Sequence, residues 1–150
     1  MKIKNFDFWY RTAKRFSLLL LSSIFLFGGV MHAQNVNMSR YITLNVAKDS
    51  LISIGLSTDA ANTPIRIVSG DNVYVFTTTS TSVTTTTSYR AGANTMTIYG
   101  DVKDFRCYRN KTKITGIDVS NNIALCTLNC YDNNISALDL SKNTALTYLA

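Results

Sequence analysis

The stretch Asp118–Leu125, DVSNNIAL, returns 21 residues later as Asp139–Leu146, DLSKNTAL. The same offset links Ile117 to Leu138, Ser120 to Ser141, Asn122 to Asn143, Ala124 to Ala145 and Leu128 to Leu149. A fixed period in the twenties restricts the fold more than any other feature of the chain. A unit that short cannot bury an apolar face alone, so its neighbours must cover it, and the pattern predicts a solenoid of stacked turns.

The central unit reads Leu125-x-x-Leu128-x-Cys130-x-x-Asn133-x-Ile135. An earlier unit, Val102-x-x-Phe105-x-Cys107-x-x-Asn110, lies beneath it, with its closing Ile114 two residues late. A third unit opens at Leu146-x-x-Leu149. Residues two apart, such as Leu128 and Cys130, share one face of a strand and are expected to point into a core. Asn133 falls where the chain bends away, and its amide can satisfy main-chain groups there. Asn122 and Asn143 each precede an Ala-Leu pair and are expected to cap a single helical turn. These units resemble the leucine-rich repeat, and the Asp-Val/Leu-Ser-x-Asn-x-Ala-Leu phrase with Cys-Tyr-Asp-Asn-Asn resembles the repeats of exported leucine-rich repeat surface proteins of Gram-negative bacteria, internalin-like in period. The resemblance implies a signal peptide, a β-rich leading module and then a repeat array. It also implies a surface recognition or adhesion role without catalysis. With about two and a half units and no capping domain, the chain is expected to be truncated or the front of a longer reading frame.

The N-terminus reads as an export signal. A basic stretch ends at Arg15, an apolar run follows from Ser17 to Met31, and small Ala33 offers a cleavage position. The run is short for a membrane span, so a signal peptide over 1–33 is preferred to an anchor. A mature product at or beyond the cell surface, with no membrane insertion, follows. The chain's net charge is +6, but residues 34–150 hold 10 basic and 8 acidic side chains, a net of +2. A basic face for nucleic acid is therefore not indicated. The one His and the one Trp leave with the signal, and the chain has no Glu. General acid–base chemistry is left to Asp, Lys, Tyr and Cys. An Asp101–Asp104 pair has no evident partner, and the segment around it reads as a turn. No catalytic residue, no cofactor and no metal site is assigned.

Residues 34–100 read as a β-sandwich-like module, so the expected fold is mainly β: this module followed by the first turns of a leucine-rich repeat solenoid with parallel strands over 101–150. Alternating or β-branched runs occur at Tyr41–Ala47, Leu51–Ser57, Ile65–Ser69, Val73–Thr77 and Met96–Gly100, separated by turn-like breaks. The tract Thr77–Ser88 is rich in Ser and Thr and reads as an exposed edge hairpin rather than a stalk. Asp49-Ser50-Leu51 resembles, over three residues, a bacterial O-glycan attachment site.

The residues between the buried ones of each unit form the expected concave binding face: Asp104, Arg106 and Tyr108, then Thr127, Asn129 and Tyr131, then Tyr148. Tyr108 and Tyr131 each follow a core Cys and are expected to stack. With Arg106 beside them they suit a protein or glycan ligand, or they simply support the sheet as a cross-strand pair. Cys107 and Cys130 are expected side by side and pointing inward, as free buried thiols in preference to a disulfide. A structural role, as leader and cap of a longer surface protein, is the alternative to recognition.

Overall fold

The computed structural model describes residues 35–83 and 85–150; the expected export signal, 1–33, lies outside them. Strand β1 (Tyr41–Val46) shows why this chain makes sheets. Ile42, Leu44 and Val46 are buried, while Tyr41, Thr43 and Asn45 face out, so β-branched and apolar positions alternate with the pleat. A turn with Asp49 at φ 63° returns the chain into β2 (Leu51–Thr58), whose Ile52 and Ile54 are buried. Strands β3 (Pro64–Ser69) and β4 (Asn72–Thr77) form a hairpin in which Ser69 faces Asn72 across Gly70, at φ 57°. Strands β5 (Thr87–Arg90), β6 (Thr95–Tyr99), β7 (Val102–Arg106), β8 (Ile114–Asp118), β9 (Thr127–Asn129) and β10 (Tyr148–Leu149) follow.

The strands form two five-stranded sheets, ordered β4-β3-β6-β1-β8 and β10-β9-β7-β2-β5. Every pairing in the first sheet is antiparallel. The second is mixed: β7 is antiparallel to β2 but parallel to β9, which is parallel to β10. One core lies between them, and its fully buried side chains come from both sheets: Ile42, Leu44, Ile65, Ile67, Met96, Ile98 and Ile114 from the first, Ile52, Val102, Phe105 and Leu128 from the second. Each such side chain contributes about 1.5–3 kcal/mol of transfer free energy. This is a mainly β, sandwich-like architecture.

The expected leucine-rich repeat solenoid does not form. Among the described residues there is no helix, and the strands of 101–150 complete the two sheets begun by the leading residues. β7 pairs with β2 through Phe105↔Leu56, and β8 crosses to the other sheet to pair with β1 through Ile117↔Leu44. The physical reason is main-chain satisfaction and apolar cover. β1 and β2 would otherwise present unpaired edges, and Phe105 and Ile114 join one buried cluster with Ile42, Leu44 and Ile52 from the leading strands. Asn35–Ala150 is accordingly one compact unit. Asn122 and Asn143 cap no helix. Leu125 N–H donates to Asn122 O and Leu146 N–H to Asn143 O, closing tight turns. The Asn122 amide donates to Val102 O at 2.8 Å, and the Asn143 amide to Val119 O and Asn122 O.

Gly100 is the pivot between the sheets. Its φ is +132°, and a Cβ there would lie 2.9 Å from Pro64 O and 2.6 Å from Ile65 Cδ1. Only glycine takes this conformation readily, and it lets the chain leave β6 in one sheet and enter β7 in the other. The Thr77–Ser88 tract forms no hairpin of its own. Apart from its ends in β4 and β5, its described residues are irregular and run between the two sheets. They are held by a Thr58–Thr78 hydroxyl contact of 2.8 Å and by Val83, whose Cγ1 occupies the space a Cβ on Gly55 would need.

Candidate functional site

Phe105 and Leu128 sit opposite each other in β7 and β9 with both side chains buried. Their neighbours along each strand must then point outward. The register sets Asp104 beside Thr127 and Thr127 beside Tyr148, with Arg106 beside Asn129. These five expected binding residues therefore share the outer face of the second sheet. Arg106, Thr127, Asn129 and Tyr148 line one shallow depression on it.

Tyr108 and Tyr131 lie just beyond the strands, in two matching turns. Cys107-Tyr108-Arg109-Asn110 and Cys130-Tyr131-Asp132-Asn133 each place their third residue at positive φ, 59° for Arg109 and 56° for Asp132. That bend brings the asparagine side chain back to the carbonyl three residues earlier: Asn110 Nδ2 donates to Cys107 O at 2.8 Å and Asn133 Nδ2 to Cys130 O at 2.8 Å. Each amide also bonds the preceding strand, Asn110 to Ser53 O and Asn133 to Cys107 O. Identical turns on adjacent strands put the tyrosines in register, and their rings stack at 5.2 Å with planes 2° apart. The Arg109 guanidinium lies 5.7 Å from the Tyr131 ring centre, within cation–π range. Arg109 was not among the expected binding residues; its place beside Tyr108 in the Cys-Tyr-x-Asn turn is the signal in the sequence that marks it.

The face is partly committed to the fold. Asp104 accepts a 2.8 Å hydrogen bond from the Ser57 hydroxyl, while Arg106 Nε and Asn129 Oδ1 are themselves buried without a hydrogen-bond partner. Tyr131 and Tyr148 are exposed. Beneath the face, burial pushes the Cys107 thiol far above its ordinary range and raises Cys130 as well. Both are free, with Cys107 buried and Cys130 half-buried, so at neutral pH they are protonated packing residues and not nucleophiles. Among the described residues no three of His, Cys, Asp and Glu come together as a metal site would require.

The residues expected to be interior divide into groups. Ile114, Leu125 and Leu128 are buried along with Phe105, Cys107 and Asn110. Ile117, Ile135, Leu138 and Leu146 pack against the core while partly exposed. Leu149, on edge strand β10, is half exposed. Comparison with protein-family models, curated proteins and solved structures gives no match for this chain.

Proposed function

We propose that the protein is a non-enzymatic recognition module, acting at or beyond the cell surface after export, and that it binds through the outer face of the second sheet. The observation that carries this reading is the convergence of Arg106, Asn129, Tyr148 and the stacked Tyr108–Tyr131 pair on one surface spanning three strands. Aromatic and Arg side chains supply most of the binding free energy where proteins meet partners. The Arg106 and Asn129 side chains line the same depression as Tyr148. The basic and apolar start of the chain supports export, and the absence of His and Glu after residue 33 disfavours catalysis. A protein or glycan ligand fits this surface.

A structural reading is favoured by a different observation. The two tyrosines use one face each on the other, and Asp104 is engaged by Ser57, as in a sheet that is merely braced. One pair of measurements separates the two. The exported protein and its Tyr108→Ser/Tyr131→Ser variant are applied to an array of immobilised polysaccharides and proteins, and their melting temperatures are compared. Recognition predicts binding that the variant loses by tenfold or more at a modest cost in stability. Bracing predicts a lower melting temperature with the binding profile unchanged, or no binding by either form, and either result overturns the recognition reading.

A further inference from the structure

Among the described residues the two sheets end in four edge strands, and three of them are blunted. β10 has two residues, and β5 has four and ends on Arg90. β8 ends on Asp118 and meets β1 across a register shift between Asn45 and Val46. Short length, charge and bulging are the means by which proteins prevent edge-to-edge pairing. β4, Asn72-Val-Tyr-Val-Phe-Thr77, has none of them: six residues, no charge, no Pro and an unbroken register with β3.

Its geometry is that of an acceptor. Thr78 N–H donates to Thr63 O and Thr78 O accepts from Asn62 N–H, so the even-numbered positions of this strand bond back to β3. Pro64, which faces Thr77, has no N–H to give. By the alternation of antiparallel ladders, Val73, Val75 and Thr77 then turn their own N–H and C=O groups away from the sheet. Val73 and Val75 also carry exposed side chains, at 47% and 62%.

We infer that β4 is a dimerisation edge, pairing antiparallel with β4 of a second copy about a two-fold axis through Val75. In this register Val75 faces Val75 of the second copy, Val73 faces Thr77, and Tyr74 faces Phe76. About six main-chain hydrogen bonds form, and β-branched residues meet on the outer face. The self-match selects a second copy over a foreign strand. The edge carries no charge, and pairing with itself sets β-branched against β-branched and aromatic against aromatic residues. The nearest charge on that face is Arg66, opposite Val75 in β3. The two Arg66 residues are three strand spacings apart, about 14 Å, beyond the Debye length of about 8 Å at physiological salt, so their repulsion is screened. The inference does not depend on the recognition reading; β4 belongs to the sheet that does not carry that face.

The test is sedimentation velocity of the exported full chain up to about 100 µM, the range a small edge interface requires, beside the Val75→Lys variant. That substitution sets two ammonium groups directly opposite each other across the axis while leaving a mostly exposed site free to fold. Dimers in the wild type, weakened at least tenfold in Val75→Lys, are expected. Hydrogen exchange of the wild type gives a readout that needs no variant: the Val73 and Val75 amides should slow as concentration rises. Four results overturn the inference: a monomer throughout with fast exchange at both amides, a dimer that survives Val75→Lys, open-ended fibres, and an edge occupied only by a foreign strand.

Discussion

Asn110→Ala removes a side chain that bonds the repeated segment to leading strand β2. Asn110 is 3% exposed; its Oδ1 accepts from Ser53 N–H at 2.8 Å, and its Nδ2 donates to Ser53 O at 2.9 Å and to Cys107 O at 2.8 Å. Alanine fills none of these roles. The Cys107 carbonyl keeps a bond from Asn133 Nδ2, so it is only partly stranded. The Ser53 groups are partly accessible to water, which moderates their loss. An unsatisfied buried group costs about 1–3 kcal/mol, and for three weakened contacts of this kind the expected destabilisation is about 3 kcal/mol. For a folded unit of this size that lowers Tm by roughly 10 °C. Urea denaturation followed by circular dichroism measures it, with exposed Asn134→Ala as a control expected within about 0.5 kcal/mol of the wild type. A loss below about 1 kcal/mol for Asn110→Ala would refute the reasoning, because it would mean that the Ser53–Asn110 bonds do not couple the halves.

Further outcomes follow from single sites. Gly100→Ala is expected to cost about 1–3 kcal/mol, since its φ is +132° and the nearest obstacle includes Pro64 O, main chain that cannot rotate away; thermal melting checks it. Under native conditions a maleimide should modify half-buried Cys126 first and leave Cys107 and Cys130, whose thiols burial holds protonated, largely unlabelled, and mass spectrometry of the peptides reads the order. Hydrogen bonds from the Ser120 side chain and backbone hold the Asp118 carboxyl below its ordinary range. A depressed carboxylate pKa stabilises the fold above the unfolded value of about 3.9. That contribution is lost as pH falls through the folded pKa, and it is small because the group is largely in water. NMR titration should find Asp118 low in the wild type and shifted upward in Ser120→Ala.

Much of the leading half is legible because its signal is local. In β1 the order Ile42, Leu44, Val46 already spells one buried face, and the turn at Ser69–Asn72 carries its own glycine. The match of Asp118–Leu125 to Asp139–Leu146 is likewise visible in the fold as paired turns, where Asp118 and Asp139 accept from Ser120 and Ser141 N–H in the same way. The partners of those segments are not legible. Nothing near Ile114 announces that β8 will lie against Val46, a residue far off in the sequence. Thr115 and Gly116 also break the alternation that would mark a strand. The helical turns expected after Asn122 and Asn143 fail because an asparagine can satisfy a carbonyl of the neighbouring turn as well as its own N-terminal amides, and the sequence does not say which. On the candidate face, the Tyr108–Tyr131 stack follows from the repeat, whereas the engagement of Asp104 by Ser57 depends on β2 and β7 becoming neighbours.

The central claim is that the leading strands and the repeated segment share one core and unfold together. Native-state hydrogen exchange tests it at two amides, Val46 N–H, bonded to Asn94 O, and Cys107 N–H, bonded to Asn129 O, with Leu128→Ala as the perturbation. Leu128 is fully buried, and its truncation should cost about 3–5 kcal/mol. The account predicts that both amides exchange through the same global opening and lose protection by the same amount in the variant. Loss of protection at Cys107 with Val46 unchanged would contradict it.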